Sequence, residues 1–240
     1  MDYKIEGRNA VNEAIKSGRS IEKLYVAAGG DGRLKAIMRL AKEAGIVSTV
    51  CDKRKLDEMS ATKAHQGVIA VCSAITYCSI SDILESAQGH PPLVVIADGI
   101  TDPHNIGAII RTACAAGADG LILPKRRSAG VGEIAEKVAS GAAQHLNIAK
   151  VTNLSSAIKE LKENGLWICG TDVSGEKTIY EQDLTGALGI VIGSEGEGMS
   201  RLIKESCDFL VKIPMLGPIQ SLNASVAAGV ILYEAVRQRS

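Results

Sequence analysis

Three loops of this 240-residue chain carry polar side chains of types that bind ligands and take part in reactions. Asn105 and Arg111 belong to the first loop and the helix after it. Glu195 belongs to the second loop, and Ser221 and Asn223 belong to the third. Amides and hydroxyls orient a ligand through hydrogen bonds, whereas arginine and glutamate add charge-assisted ones. Each loop alone is a weak signal, so the elements that position the loops determine whether they form one site.

The third loop follows a short apolar run, Phe209–Val211, that predicts a buried strand. Its two prolines and one glycine cannot continue a β-ladder or a helix interior. Ser221, Asn223 and Ser225 are each able to cap a helix predicted from about Asn223 to Arg237. Apolar residues surround nearly the whole circumference of that helix, so we expect it to be buried on more than one side. A rigid polar loop between a buried strand and such a helix is a suitable place for a small-molecule site. The same spacing is also typical of an ordinary connection between a strand and a capped helix.

The first loop, residues 98–105, contains Asp-Pro and Asn signals for entry into a helix. The following helix, predicted over 106–117, has one apolar stripe, and Arg111 falls outside it at about 100° per residue. Arg111 is therefore free to reach a ligand or water. Asn105 is either a helix cap or a functional side chain.

The second loop, residues 193–200, is rich in glycine and directly follows an apolar strand. Turns of this kind can cradle a phosphate at a helix N-terminus, but Glu195 and Glu197 would repel one. The spacing matches neither the dinucleotide fingerprint nor a Walker loop. A ligand with hydroxyl groups or positive charge fits better, and the alternative is that both carboxylates stabilise the N-terminus of the next helix.

All three loops leave strands of an alternating strand–helix pattern that starts at Leu93. This alternation indicates an α/β fold with a mostly parallel sheet covered on both faces, in which ligands bind beyond the carboxyl ends of the strands. The predicted strands are residues 93–97, 120–123, 146–151, 166–170, 188–192 and 209–211. Residues 1–75 predict a separate small α/β unit, and residues 76–91 predict a linker with one short helix. We place the second domain at residues 92–240.

Composition restricts the class of protein. The chain has 27 basic and 27 acidic residues, which disfavours a simple cationic RNA-coating protein, and its 3% of aromatic residues disfavours a base-stacking sheet. No apolar run approaches the roughly 20 residues of a membrane span, and the N-terminus lacks a signal-peptide core. The scattered cysteines favour free thiols over disulfides or a zinc site. We therefore expect a cytoplasmic protein that binds neither metal nor membrane.

Taken together, the three loops resemble the three sequence motifs of the SpoU (TrmH) branch of the SPOUT RNA methyltransferases. The segment DPHNIGAIIRTACAAG resembles motif one, IVIGSEGEGMS motif two and VKIPMLGPIQSLNASVAAGVILYE motif three, so the match covers about residues 92–238. The front unit, with IEGRNAVNEAI and HQGVIA, resembles the L30e/L7Ae-like substrate-binding domain of the same family. The departures are mild: Ala224 stands where valine is commoner, and Pro218 changes the usual glycine-x-valine-x pattern.

The resemblance implies a C-terminal methyltransferase domain with a deep trefoil knot, an exception to the rule that chains avoid threading. It implies S-adenosylmethionine as the methyl donor, bound in a bent form, and a homodimer formed through the knot region. The match is closest to the RlmB type, which methylates a guanosine ribose 2′-oxygen in large-subunit (23S) ribosomal RNA.

Carried over residue by residue, the resemblance implies catalytic roles for Asn105, Arg111, Glu195, Ser221 and Asn223. In the family the matching arginine is proposed to activate the ribose hydroxyl. A guanidinium stays protonated, so we expect Arg111 to stabilise the developing alkoxide and to hold a neighbouring phosphate. The resemblance also implies a set of cofactor-binding positions. Some of them match the family's cofactor pocket, others lie near it, and one follows a strand that faces it: Thr171, Gly193, Gly198, Ile213, Met215, Ser221 and Leu222.

We expect RNA contacts from Arg8 in the front unit and from the basic loop formed by Lys125, Arg126 and Arg127. A tRNA guanosine 2′-O-methyltransferase is the nearest alternative, although L30e-like domains favour rRNA because they recognise bent RNA. A resistance-type methylase of an rRNA adenosine also stays open. In a different class, a non-catalytic RNA-binding module of the same fold is disfavoured because the five polar residues are retained. An oxidoreductase is disfavoured because the dinucleotide fingerprint is missing.

Overall fold

The helices and strands form two units in the computed structural model, which describes residues 3–240. One unit extends to Thr76 and includes Val131–Glu133, and the other consists of Tyr77–Gly130 and Ile134–Ser240. Across the described residues, no helix combines the length and the apolar character that crossing a bilayer requires.

The first unit is built on a mixed sheet whose strands lie in the order β1-β4-β2-β3. Its elements are β1 (Lys4–Glu6), α1 (Arg8–Lys16), β2 (Ile21–Ala27), α2 (Gly32–Glu43), β3 (Ser48–Cys51), α3 (Lys53–Met59) and β4 (Val68–Cys72). Strand β4 pairs antiparallel with β1 and β2, whereas β2 and β3 are parallel. Val11, Leu24 and Leu34 lie in its apolar core. The Asp52 carboxylate caps α3 by accepting the Lys55 N–H.

The second unit contains a seven-stranded sheet in the order β7-β6-β5-β10-β8-β11-β9. Its first elements are α4 (Ile80–Ser86), β5 (Leu93–Ala97), α5 (Pro103–Ala115), β6 (Gly120–Pro124), α6 (Glu133–Ala139), a 3-10 turn (Ala142–Gln144), β7 (Asn147–Val151) and α7 (Leu154–Glu163). The remaining elements are β8 (Trp167–Thr171), β9 (Lys177–Thr178), β10 (Leu188–Ile192), α8 (Arg201–Ser206), β11 (Phe209–Lys212) and α9 (Ala224–Arg239). Every neighbouring pair in this sheet is parallel, which confirms the predicted α/β class.

Most predicted elements are confirmed to within a few residues, and the exceptions have local causes. Strands β1 and β9 are too short to give an alternation signal. The sequence pattern predicts one glycine-rich helix over about residues 132–142, and this prediction is wrong at its end, because α6 stops at Ala139. Ser140 and Gly141 adopt left-handed backbone conformations, with φ of 53° and 87°, that cannot continue a right-handed helix.

The last helix, α9, is buried on one face in the single chain. Ala228, Ile231 and Leu232 are fully buried, whereas Val226 and Tyr233 are 50% and 52% exposed. A single copy of the chain therefore does not bury α9 on more than one side, contrary to the sequence prediction, because the apolar outer face of the helix stays exposed.

The order of the strands brings the three predicted loops together. Strand β10 lies between β5 and β8, and β11 follows β8 in the sheet. Because all these strands are parallel, their carboxyl ends lie along one edge. The loops after β5, β10 and β11 therefore converge at this edge, where open α/β sheets bind ligands.

Candidate functional site

A cavity of about 240 Å³ opens at the carboxyl edge of the seven-stranded sheet. The predicted residues that line it are Thr171, Gly193, Glu195, Gly198, Ile213, Met215, Ser221 and Leu222. Sequence reasoning missed the lining residues Asp172, Val173, Ile192, Ser194, Gly196, Glu197, Gln220, Ala224 and Ala227. Most of the missed residues are neighbours of predicted ones in the sequence. Including the whole of each loop that follows a strand would therefore have found them.

The glycine-rich loop at residues 193–198 is a tight turn that forms one wall of this cavity. The Ser194 N–H donates to the Gly198 carbonyl and the Gly198 N–H donates to the Ser194 carbonyl, both at 3.0 Å. A Cβ at Gly193 would lie 2.4 Å from the Gly198 carbonyl carbon and from the Met199 nitrogen, so a side chain cannot fit there. The glycines therefore serve close backbone packing.

Asn105, Glu195 and Asn223 form one hydrogen-bonded network that joins the three loops. The Asn105 amide donates to Glu195 Oε1 at 2.9 Å, and the Asn223 amide donates to Asn105 Oδ1 at 2.9 Å. The Asn223 amide also donates to Glu195 Oε1. Within residues 3–240, Oε1 accepts every hydrogen bond that the Glu195 carboxylate receives, and Oε2 has no hydrogen-bond donor, which leaves Oε2 able to contact a ligand.

Two of the purely structural roles that the sequence left open, a helix cap at Asn105 and stabilisation of the α8 N-terminus by Glu195, are wrong. Asn105 is not a helix cap, because Asp102 caps α5 by accepting the His104 N–H at 2.8 Å. Glu195 is not at the N-terminus of α8; its Oε1 accepts the Ala224 N–H of α9 at 3.4 Å. Asn223 does cap α9, since its Oδ1 accepts the backbone N–H groups of the next turn. The Glu195 carboxylate thus lies at the positive end of the α9 dipole.

Arg111 and Ser221 occupy different positions relative to the network. Ser221 is exposed and lines the cavity. Arg111 is exposed on α5, outside the residues that line the cavity, and its Nη1 donates to Ser140 Oγ at 3.5 Å. Ser140 had no sequence signal, because its hydroxyl is presented by the left-handed turn that ends α6.

The electrostatics of the cavity favour a ligand with positive charge. Its lining includes the carboxylates of Asp172, Glu195 and Glu197, and it includes no lysine, arginine or histidine. Burial raises the pKa of Asp172, but hydrogen bonds from Lys204 and Ser174 outweigh burial and lower that pKa overall, so the carboxylate is charged at neutral pH. Asp172 is paired with Lys204 at 2.8 Å, so Glu195 and Glu197 supply the carboxylates of the lining that have no cationic partner among residues 3–240. Apolar side chains complete the walls, so a ligand that is partly apolar and partly cationic fits, whereas a polyphosphate does not.

The predicted RNA contacts lie on both units. Lys125 follows β6 and is half-buried, while Arg126 and Arg127 are exposed. In the described part of the chain, the guanidinium groups of Arg126 and Arg127 have no hydrogen-bond or ion-pair partner. In the first unit, Arg8 donates from Nη1 to Asp31 at 2.8 Å and from Nε to the Gln66 carbonyl at 3.0 Å.

A second hollow, of about 770 Å³, surrounds Arg8 in the first unit. Its lining includes the cations Arg33, Lys53 and Lys63, and none of the three side chains has an ion-pair partner among residues 3–240. His65, which is 3% exposed, accepts the Gly67 N–H at Nδ1 and faces Asp57 with Nε2 at 2.9 Å. The surface is therefore concave, positively charged and rigidly held, as a polyanion site requires.

Comparisons with known proteins agree with this geometry. A model of the SpoU rRNA methylase family matches residues 92–233, and a model described as RNA 2′-O ribose methyltransferase substrate binding matches residues 4–78. The YacO protein of Bacillus subtilis, assigned to the TrmH family of tRNA/rRNA methyltransferases, is 45% identical over 100% of this chain and 96% of the relative. The 23S rRNA (guanosine-2′-O-)-methyltransferase RlmB of Ralstonia nicotianae is 44% identical over 98% of this chain and 95% of its own length.

Solved structures give the same grouping. The SpoU methyltransferase AviRb of Streptomyces viridochromogenes, in complex with AdoMet, superposes with a TM-score of 0.62 at 27% identity, over 98% of this chain and 90% of that one. The structural match extends over both units, and the two matched family models together span residues 4–233 with one short gap. From its sequence motifs, the geometry of its site and these matches, the chain belongs to the SpoU rRNA methylase family of methyltransferases.

Proposed function

We propose that this chain transfers a methyl group from S-adenosylmethionine to the ribose 2′-oxygen of a guanosine in 23S ribosomal RNA. SpoU methyltransferases use S-adenosylmethionine. The observation that carries the proposal is the Asn105–Glu195–Asn223 network beside a cavity that suits a cationic ligand. The relative RlmB, which matches nearly the whole chain, supports guanosine in 23S rRNA as the substrate.

The residues of the cavity fit the proposed cofactor. The apolar walls at Ile192, Ile213 and Leu222 suit the adenine and ribose carbons, and the carboxylates suit an amino group and a sulfonium. When bound, S-adenosylmethionine supplies an electrophilic methyl group. The free Oε2 of Glu195 and the hydroxyl of Ser221 are the groups able to orient a ligand at the polar end of the cavity.

Methylation of a ribose needs the 2′-hydroxyl to be aligned, its proton to pass to a phosphate oxygen or to water, and the negative charge on its oxygen to be stabilised. Alignment alone contributes about 7–11 kcal/mol in well-oriented systems. We assign the stabilisation of the developing alkoxide to the Arg111 guanidinium, which also binds a neighbouring phosphate. Because Arg111 does not line the cavity of its own chain, we propose that it serves the cavity of a second copy.

Three structural features belong to the same proposal. We propose that the segment from β11 to α9 is threaded as a trefoil knot, and that α9 contributes to a homodimer through its exposed apolar face.

We assign residues 1–75 to an L30e/L7Ae-like RNA-binding domain, residues 76–91 to a linker and residues 92–240 to the methyltransferase domain. The concave basic surface near Arg8 supports RNA binding by the first of these. We place the enzyme in the cytoplasm, since its substrate is ribosomal RNA and its six cysteines are free thiols.

A tRNA substrate is the second candidate, because relatives such as YacO carry a family name that covers both tRNA and rRNA. The first unit, which matches an RNA substrate-binding family, favours a large structured RNA. A non-catalytic RNA-binding module is disfavoured because the polar network and the cavity are both present.

The test compares 2′-O-methylated positions in total RNA from the source strain and from a strain that lacks the gene. We expect one guanosine of 23S rRNA to lose its methyl group and a plasmid-borne copy of the gene to restore it. Calorimetry with S-adenosylmethionine checks the cofactor. Loss of a methyl group from a tRNA alone would replace the substrate, and absence of cofactor binding would refute the enzyme assignment.

A further inference from the structure

A second cavity of the methyltransferase unit, about 500 Å³ in volume, opens at the same edge of the seven-stranded sheet. It lies beyond the ends of β5, β6 and β7, on the other side of the glycine-rich loop from the first cavity. Ser194, Glu197 and Gly198 line both cavities, so one turn of backbone separates them. A ligand that occupies the second cavity is therefore an immediate neighbour of whatever reacts beside the first.

The charges of the second cavity differ from those of the first. Its lining includes Arg126, Arg127 and Arg201, whereas the first cavity has no basic residue among its lining. Arg126 and Arg127 have no partner in the described part of the chain, and Arg201 pairs only with the exposed Glu205. The carboxylate of Asp98 is occupied, since it accepts the Ser200 N–H at 2.7 Å. Glu197 also lines the cavity, and its carboxylate has no partner among residues 3–240. Apart from Asp98 and Arg201, the charged side chains are therefore two guanidinium groups without a partner and one such carboxylate, so positive charge is in the majority.

Ser155 adds a second observation that points to a ligand. Its hydroxyl oxygen is buried and has no hydrogen-bond partner, and it is the only buried side-chain polar atom in this condition among residues 3–240. Ser155 lies in the first turn of α7 and lines the cavity. The Asn153 cap already occupies the Ser156 N–H, so the free hydroxyl is not needed by the helix. A buried hydroxyl without a partner is unfavourable, and a bound acceptor that it reaches by rotation of the side chain would offset this cost.

We propose that this second cavity binds the phosphate and sugar of a nucleotide that flanks the methylated one, with Arg126 and Arg127 on the phosphate and the Ser155 hydroxyl on the sugar or phosphate oxygens. The assignment rests on the proposed function, because it takes the occupant to be part of the RNA substrate. A polymer substrate explains why the two cavities share a wall: consecutive nucleotides of one strand must be held a short distance apart. The second cavity then determines which position along the strand meets the methyl donor.

The test uses two variants of the full-length protein and RNA from a strain that lacks the gene. Thr152→Trp fills the mouth of the cavity from an exposed position and leaves the arginines unchanged. Arg126→Gln removes one charge from the lining and keeps a shorter polar side chain there. Lys159→Gln, an exposed residue on α7 that pairs with Glu163, is the matched control. The measurements are kcat, the KM for RNA at several salt concentrations, and the Kd for S-adenosylmethionine.

We expect both cavity variants to raise the KM for RNA on the order of tenfold, as loss of a charge-assisted contact does. The kcat at saturating RNA and the cofactor affinity should stay within about twofold, because neither residue lines the first cavity. Arg126→Gln should also reduce the salt slope of RNA binding by about one phosphate contact. Lys159→Gln should match the wild type in every measurement.

Three outcomes overturn the assignment. Wild-type KM values for both cavity variants, with an active wild-type enzyme, would refute the cavity while leaving the proposed function intact. Inhibition of the wild type by GMP that is lost in Thr152→Trp, with the KM for RNA unchanged, would show a site for free nucleotides. A wild-type protein that binds no S-adenosylmethionine and methylates no RNA would refute the proposed function and this assignment with it.

Discussion

At the residue scale, the two carboxylate oxygens of Glu195 have different roles. Oε1 receives the amides of Asn105 and Asn223 and so joins loops that lie far apart in the chain. Oε2 has no donor among the described residues and faces no competing structural contact. A carboxylate held in this way keeps its orientation before a ligand arrives, which lowers the reorganisation cost of binding.

Arg111→Ala tests the proposed catalytic arginine. We expect methyl transfer to fall by about 10²–10³-fold, the effect of losing one group that stabilises a developing oxyanion. The affinity for S-adenosylmethionine should change little, because the partners proposed for Arg111 are the ribose oxygen and a phosphate of the RNA and not the cofactor. Single-turnover transfer of a labelled methyl group measures the first quantity and calorimetry measures the second.

Arg39→Ala is the control for that variant. Arg39 is 77% exposed on α2 and pairs only with Glu43, so its loss should leave transfer unchanged. Turnover near the wild-type rate in Arg111→Ala would show that the guanidinium has no part in the reaction.

At the element scale, the loop from Ser60 to Gly67 is held in place by the carboxylate of β1. Glu6 accepts hydrogen bonds from the Ser60 and Thr62 hydroxyls, both at 2.6 Å, and from the Ala61 N–H at 2.7 Å. Burial raises the pKa of Glu6, but these hydrogen bonds outweigh it and lower the pKa to about 2. The loop includes Lys63, whose left-handed backbone φ of 57° needs such support.

Glu6→Gln tests this support. We expect the backbone amides of residues 60–64 to exchange hydrogen about tenfold faster at pH 7, because glutamine has one acceptor oxygen in place of two, so its NH2 group must face either the Ala61 N–H or the two hydroxyls. Since the folded pKa of about 2 lies below the ordinary 4.5, the stabilisation exists above pH 4.5 and is lost as pH falls towards 2. The difference between wild type and variant should therefore disappear across that range, once the intrinsic pH dependence of exchange is subtracted.

Glu58→Gln provides a matched control on α3. Glu58 is 65% exposed and pairs with Arg54, which is 88% exposed, so its removal should not change exchange in the loop. Equal exchange in Glu6→Gln and Glu58→Gln would show that the loop holds its conformation without the carboxylate.

At the scale of the whole molecule, α9 retains an apolar outer stripe. Val226, Val230 and Tyr233 lie at intervals of four and three residues, which places them on one face of the helix. Val226 and Tyr233 are about half exposed, although the opposite face is fully buried. An apolar stripe of this kind on a helix that starts at the candidate site suits a second copy of the chain.

Tyr233→Glu tests the proposed homodimer. A charge in an apolar interface should raise the dimer dissociation constant at least about tenfold. Methyl transfer should fall with it if Arg111 acts on the cavity of the partner. Sedimentation equilibrium measures the assembly, and Trp167→Glu, a change at a residue that is 62% exposed at the start of β8, is the control. A Tyr233→Glu protein that still forms the wild-type dimer would place the interface elsewhere.

The sequence pattern was enough to locate the helices, the strands and the polar residues of the loops, because these depend on short-range properties. Apolar runs and glycine turns located β5 and β10, and the polar types of Asn105, Glu195 and Asn223 marked the loops after β5, β10 and β11. The local sequence pattern did not predict the end of α6, because the left-handed backbone conformation of Ser140 ends that helix.

Which of these residues contact one another depends on the three-dimensional packing of the chain. Asn105 contacts Glu195 across 90 positions and Asn223 across 118, and no local preference encodes a pairing at such separation. The placement of β10 between β5 and β8 depends on burying the apolar faces of all the strands at once. The same global packing leaves Arg111 outside its own cavity and leaves Ser155 without a partner, two facts on which the proposals for the second copy and the second cavity depend.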